Sequence, residues 1–541
     1  MKLKNILYVG ALLFTATSCE DYLDQPPVNL LSSNGFFQTT AQANQGVLGI
    51  YADLRYATDQ TYYHLSEVRS DNAWVNPEPN GQRDYADIGA FRAGSELIMA
   101  ESAWNMWYKV IYDANVAIQK IEGATYDNET VQAQLLNEAH FLRGYAYFEL
   151  CRLFGNIPVV TEPLSPSVVN NTPQTDAKTV INEVVIPDLK EALNLPDKGK
   201  VLNAVGKAVP EQGRADKTAA AAMLARVYMT LAGFPFNDAS ATAQAKTYIS
   251  QVLAKKADYW ASDITEWRKQ WTPDYNNKYS IFAIQYRTGG TGNTGIFNLV
   301  KSLPPSYTNG VNVRLFGNDI YVEKTLRFEF DRTYSNGNKD LRGNGWSLLD
   351  GYEAEANTVA YPTTYEDVTV DGVTMNVATN SMYYKPLPSK PKMDELGLTM
   401  SYSDLKDAND WPVNFPVLRI EDIMLLNAEI MCAEGNASGA IAVVNEIRGR
   451  AGCDAVSATS ADEALKLVKR ERRLELMGEG VRWFDEVRYG TWKQDIIDMF
   501  ARYNNPSGTS TSNVADGRYL YAIPANQMNI NPGLYQQNTG Y

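Results

Sequence analysis

Histidine is almost missing from this chain. Only His64 and His140 occur among 541 residues, and they lie far apart in sequence. Four cysteines are present, with no CxxC or HExxH pattern, and neither GxSxG nor a P-loop occurs. The common zinc, serine-hydrolase and nucleotide-binding arrangements are therefore absent, and no cofactor or metal is expected. Positive charge is also short: the formal net charge is -14, which argues against nucleic acid, whose binding needs a basic footprint. Beyond the first twenty residues no apolar run approaches the ~20 residues a membrane-spanning helix needs. The fractions of apolar (45%) and charged (21%) residues are those of a globular chain, not a disordered one. Length alone allows two to four domains.

The N-terminus has its own pattern. Lys2 and Lys4 precede an apolar run over residues 6–14, and Thr15-Ala16-Thr17-Ser18 then leads into Cys19. A basic start, a short apolar core and small residues make a signal peptide over 1–18. A cysteine at the cleavage point is the pattern of a bacterial lipoprotein, with Cys19 as the lipid-bearing residue. Anchoring is then by lipid alone, since two or three acyl chains hold a protein stably where one does not. Cys432 and Cys453 invite a disulfide. Each, however, ends one of two consecutive predicted helices, so antiparallel packing separates them by about 15 Å. A disulfide needs Cα atoms within about 7 Å. Cys151, Cys432 and Cys453 are therefore expected as free, buried thiols.

Apolar residues recur at helical spacing over residues 41–55, 103–121, 135–154, 175–193 and 218–231. Residues 218–231 are rich in alanine and suited to close packing. Pro158 follows Asn156-Ile157 and stops the third of these, because proline biases its predecessor away from the helical region. Further helices are expected over 418–434 and 438–451, across a Gly435-Asn436 break, then over 462–479 and 483–489. Paired helices with small contact residues resemble tetratricopeptide units, although no strict 34-residue consensus appears. Residues 285–416 differ: Gly289-Gly290, Pro304-Pro305 and Gly310 punctuate a loop-rich stretch. Residues 367–377 alternate around Asp371-Gly372, a hairpin signal. The fold class is thus mainly α, helix pairs with long loops and a few short β-hairpins.

Two charged runs, Arg470-Glu471-Arg472-Arg473-Leu474-Glu475 and Arg482-Trp483-Phe484-Asp485-Glu486, place acids and guanidiniums side by side on helix faces. They read as a structural ion network. A glycosidase would need two carboxylates about 5–10 Å apart across a bond, and nothing singles out such a pair among 63 acidic residues. His140 lies on a core helix and reads as packing; a solvent or hydrogen-bonding role is the default for His64. Asn293 and Asn344, each next to a glycine, suit turns better than calcium ligation. The 33 tyrosines and 10 tryptophans suit both sugar rings and wet protein interfaces. Residues 70–85 form a polar, proline-containing stretch whose Trp74 no helical or strand period requires in the core. That tryptophan either anchors the loop or serves a ligand.

Several segments occur together in a fixed order. They are Cys19 to Asp24 (CEDYLD), residues 137–148 (NEAHFLRGYAYF), 153–160 (LFGNIPVV), 220–228 (AAAMLARVY), 419–422 (RIED), 444–448 (VNEIR), 471–476 (ERRLEL) and 523–534 (IPANQMNINPGL). Gln537-Asn538 and Gly540-Tyr541 close the set. The set resembles the SusD/RagB family of Bacteroidetes nutrient-uptake lipoproteins and covers nearly the whole chain after the leader. Glu20-Asp21 after the cysteine resembles the surface-export signal of such lipoproteins. The resemblance implies one body over 19–541, made of an N-terminal helical part (19–235) and a C-terminal SusD/RagB part (280–541). It implies an outer-membrane location facing the exterior, and no chemistry. The implied partners are a SusC-like TonB-dependent transporter and an oligosaccharide, or in some relatives a peptide. It also implies that the loop around Trp74 supplies an aromatic platform with polar partners for sugar hydroxyls: Trp74 and Tyr85 stacking, Asn80 and Arg83 hydrogen-bonding. A second arm is expected between about 286 and 350, with Tyr307, Asn309, Tyr321 and Trp346 as candidates. A glycan-cleaving enzyme and a purely structural lid remain as alternatives.

Overall fold

The structure, a computed structural model, describes residues 36–77, 83–209, 213–272, 276–286, 306, 320–343, 345–356, 360–383, 390–398 and 413–541. Helices carry the fold, and the strands among the described residues form five two-stranded antiparallel ribbons. The mainly α class read from the periodicity is the class that forms. Cys19 and the leader lie outside the described residues. Among those described, no helix is long and apolar enough to cross a membrane.

The helices pack as antiparallel neighbours. Ile98–Glu122 lies along Glu129–Phe154, and Thr40–Thr58 packs against both. Asn128 starts the second of these by accepting from the Val131 amide at 3.1 Å, so its side chain satisfies one amide the helix leaves unpaired. From Gly144 to Leu150 every residue of Glu129–Phe154 is buried, as for a helix enclosed on all sides. Its polar groups have partners: Arg143 holds Asp188 through two bonds of 2.8 Å, His140 Nδ1 lies 2.7 Å from the same carboxylate, and Glu138 pairs with Arg214. The alanine-rich Lys217–Ala232 helix, capped by Asp216, packs on Ala241–Leu253, where small side chains permit close approach. That second helix in turn meets Ile420–Ala433, which pairs with Ala437–Arg450. The turn between them uses Gly435 at φ 79° and Asn436 as the next cap. Ala461–Glu475 covers both.

Tertiary pairing moves several boundaries. The helix expected at 418 begins at Ile420, because Phe415–Arg419 is a strand hydrogen-bonded to Ser280–Ile284. The helix expected to reach 479 ends at Glu475. Beyond it Gly478 and Gly480 adopt positive φ, and a Cβ on Gly480 would sit 2.2 Å from the Tyr62 carbonyl oxygen. Residues 175–193 are not one regular helix: Ala177–Val180 runs through a π segment, Ile181–Val185, into Ile186–Glu191 and a final 3-10 turn. The hairpin forms as Tyr365–Val370 paired with Val373–Ala378, and its turn residues Asp371 and Gly372 have φ of 52° and 76°. Positive φ at both positions is the requirement of a two-residue I′ turn.

The two charged runs are structural. Arg342, Arg419, Arg450 and Arg472 are buried together with Glu421, Asp422, Glu471, Glu475 and Asp485. Glu475 alone accepts from Arg342 (2.7 Å), Arg419 (3.1 Å), Arg450 (2.8 Å) and the Trp267 indole (3.0 Å). Asp422 bridges Arg226 and Arg472, and Arg470 pairs with Glu329. Removing these charges from water is costly, and mutual pairing offsets it. Cys151, Cys432 and Cys453 are free and buried, as the helix geometry required.

Candidate functional site

Trp74 lies in a short strand, Ala73–Val75, rather than in a loop. Its partner strand is Ile320–Val322, and the register places Trp74 opposite Tyr321 and Val75 opposite Ile320. Directly opposed residues share one face of a sheet and lie close enough to interact. The ribbon therefore joins one candidate from each of the two expected arms. Tertiary pairing, not local sequence, requires Trp74 to be in a strand: three residues carry too little alternation to announce it. Residues 78–82 and 307–319, which hold Asn80, Tyr307 and Asn309, lie outside the described residues.

Sequence reasoning missed Tyr503. Its ring stacks on Trp74 with centroids 3.7 Å apart and planes within 4°, so one face of the indole is covered. No local signal links two residues so distant in sequence. The Lys324 amide donates to the Tyr503 hydroxyl at 3.2 Å, and the Lys324 ammonium lies 4.4 Å from its ring centroid.

A buried polar layer fixes the ribbon from below. The Glu323 amide donates to the Asn72 carbonyl (2.8 Å), and the Asn72 amide group donates to Glu67 (2.8 Å). Glu323 caps the Lys324–Asp331 helix through the Thr325 and Leu326 amides, and accepts from Arg502 at 3.0 Å. Arg482 grips Asp71 through Nε (2.7 Å) and Nη2 (2.9 Å), while Arg473 donates to the Asn72 side chain and the Asp71 carbonyl. Burial alone would raise the Asp71 carboxyl, but the Arg473 and Arg482 guanidiniums outweigh it and hold it well below the usual range. Neighbouring Glu486 behaves oppositely: burial, then the negative charge of Asp71, pushes it well above the usual range. Asp71, Glu486 and Asp495 bring carboxylate oxygens within 4.8 Å of one another. Two guanidiniums, those of Arg473 and Arg482, face Asp71 in this group.

The other candidates separate. Tyr85 is 8% exposed on the Arg83–Gly89 helix and packs against His64, centroids 4.9 Å apart. Trp346 is 6% exposed in a satellite core with Trp267 and Trp271, with Arg268 over its ring. Neither ring presents an open face, so Tyr85 packs rather than stacks on a ligand, and Trp346 is corrected from a second-arm candidate to a core residue. Arg83 opens its helix, and its side chain is outside the described set. His64 is buried, not solvent-facing, and burial lowers its pKa to about 3. Asn293 and Asn344 fall outside the described residues.

With this geometry in place, residues 278–541 match the family described as "SusD family" and residues 21–229 match the one described as "Starch-binding associating with outer membrane". The chain belongs to the SusD/RagB family. SusD-like protein P25 of Formosa agariphila is 25% identical over 571 residues, with both chains covered in full. A SusD homolog of Bacteroides thetaiotaomicron superposes with a TM-score of 0.74 at 21% identity, covering 94% of this chain and 98% of its own. A laminarin-binding SusD-like protein gives 0.67 at 21%, covering 92% and 99%. At these identities the solved structures carry the fold alone.

The SusD/RagB motifs have physical roles in this structure. Gly155 ends the Glu129–Phe154 helix at φ 71°, with Leu520 packed where a Cβ would point. Asn538 donates to the Phe154 (2.9 Å) and Tyr521 (2.7 Å) carbonyls, and Gln537 accepts from the Ile523 amide at 2.7 Å. The closing residues thus fasten the C-terminal segment to the core helix.

Proposed function

We propose that this chain is a non-catalytic, lipid-anchored outer-membrane protein that binds a glycan outside the cell and presents it to a SusC-like TonB-dependent transporter. Cys19 is the lipidated residue, and the two matched parts act as one body over 19–541. The observation that carries the reading is the pairing of Trp74 with Tyr321. Two aromatic side chains from distant parts of the chain share one face of a two-stranded ribbon. A sugar presents C–H faces to aromatic rings and hydroxyls to amides, so this arrangement suits it. Asn80, Arg83, Tyr307 and Asn309 supply the hydroxyl-binding groups in this proposal. The laminarin-binding relative and the starch-binding family description support a glycan as the ligand class.

The test expresses the chain from Glu20 and measures binding across soluble polysaccharides and oligopeptides, with Trp74→Ala and Tyr321→Ala alongside. Glycan binding that weakens in both variants is the expected result. Binding of peptides and no glycan would make this an oligopeptide-uptake protein, and release of reducing ends on prolonged incubation would overturn the non-catalytic reading.

A further inference from the structure

A second groove lies away from the Trp74 ribbon, between the Ile98–Glu122 helix, the chain after Pro158 and the C-terminal segment around Ala525–Ile530. Its volume is about 200 Å³, below the ~300–1,000 Å³ that encloses a drug-sized ligand. It therefore has room for a ring of a longer chain rather than a whole compact molecule. Aromatic residues make its base and wall. Trp104 is buried and packs on Tyr108 and Phe154, each with centroids 5.1 Å apart, and Tyr535 is half-buried beside them. Tyr112, one helical turn after Tyr108, stands 53% exposed at the open side.

The rim is built of amides. Gln527 donates to Asn105 Oδ1 at 3.3 Å, and Asn531 donates to Asn171 Oδ1 at 2.9 Å. These bonds orient the side chains. Among the described residues they leave Asn105 Nδ2 as a donor, and Gln527 Oε1 and Asn531 Oδ1 as acceptors, with no protein partner. None of the fifteen residues lining the groove is charged, in a chain with 49 basic and 63 acidic residues. Such a lining suits a ligand that carries hydroxyls and apolar faces but no ionised group. A carboxylated or sulfated unit would find no counter-charge here.

We propose that this groove is a second glycan subsite, taking an uncharged sugar residue on Tyr112 and Tyr535 with Asn105, Gln527 and Asn531 bonding its hydroxyls. The inference rests on the glycan-binding reading above and adds a site that lets one long chain engage two places. Two linked contacts strengthen binding of a chain that spans them and do nothing for a short one.

The test compares the mature chain with Tyr112→Ala and Asn105→Lys, both at exposed positions, after circular dichroism has shown them folded. Each is titrated with a neutral polysaccharide and with short neutral oligosaccharides, beside Trp74→Ala. Both variants are expected to weaken polysaccharide binding roughly fivefold to tenfold, the scale of one lost aromatic contact. Amides of residues 105–112 and 527–535 should gain protection from hydrogen exchange when the glycan is added, also in the Trp74→Ala background. Wild-type affinity in both groove variants, with loss only in Trp74→Ala, would overturn the second subsite and leave the first reading standing. No glycan binding by the unsubstituted chain would overturn both. Unchanged glycan binding with lost co-purification of the transporter would overturn the subsite and make the groove a protein-docking surface.

Discussion

Glu486 should be replaceable by glutamine without loss, although it is buried in a bed of arginines. Its Oε1 accepts from the Asp71 amide at 3.1 Å and lies 2.8 Å from Arg482 Nε. The ionised partner of Arg482 is Asp71, held well below the usual carboxylate range by Arg473 and Arg482 against the cost of burial. Burial, and then the Asp71 charge, push Glu486 well above the usual carboxylate range, which favours its protonated form. An unfolded glutamate releases that proton near pH 4.3. The native protein therefore binds more protons than the unfolded one above that pH, and stability attributable to Glu486 falls as pH rises towards its native pKa, by at most about 1.4 kcal/mol per unit. Glu486→Gln keeps the shape and supplies an N–H in place of the carboxyl O–H. Asp71 has the opposite sign. Its contribution is complete above the unfolded value near 3.9 and is lost only as pH falls through its depressed native value. Asp71→Asn takes the nearest carboxylate from the partly buried Arg473 and Arg482, which keep only Glu323 at 3.7 Å and Glu486 at 2.8 Å, a loss of about 3 kcal/mol. Urea unfolding at pH 4.5, 5.5, 6.5 and 7.5 measures both. Glu486→Gln should match the unsubstituted chain at the lowest pH and gain on it as pH rises, while Asp71→Asn is destabilised throughout. If Glu486→Gln loses as much as Asp71→Asn at pH 7.5, Glu486 is ionised in the native protein and the reasoning fails.

Two further outcomes rest on other parts of the core. Burial lowers His64 to about 3, so the unfolded chain takes the proton first as pH falls below about 6.5, and stability drops by at most about 1.4 kcal/mol per unit from there towards pH 3. In His64→Gln the unfolding midpoint should vary less steeply between pH 6.5 and 4.5, whatever its absolute value, and an unchanged slope counts against a buried neutral imidazole. Glu475→Ala takes one shared carboxylate from Arg342, Arg419 and Arg450 at once, leaving them to Asp340, Glu421, Glu471 and Glu479, and the unbalanced buried charge should cost about 3 kcal/mol; a urea midpoint equal to that of the unsubstituted chain would show that the remaining acids suffice.

The helix periods, the stop before Pro158, the Asp371-Gly372 turn and the reading of the 470–486 charges as a structural network were all legible in the amino-acid sequence, because each depends on neighbours within a few residues. The resemblance carried by residues 137–148 and 523–534 was legible for the same reason, as short ordered motifs. What the sequence could not decide was which aromatic residues keep a free surface. Tyr85 and Trp346 look like Trp74 in composition and setting, yet the fold packs the first against His64 and the second into a satellite core with Trp267 and Trp271. Trp74 becomes a strand residue only because residues 320–322 come alongside it, and it meets Tyr503 from the far end of the chain. The amides of the second groove come from a helix near residue 105 and a segment beyond 525. Local sequence fixes the backbone's short-range preferences and the order of its elements. Exposure, stacking and the convergence of polar groups are properties of pairs distant in sequence, and only tertiary packing sets them.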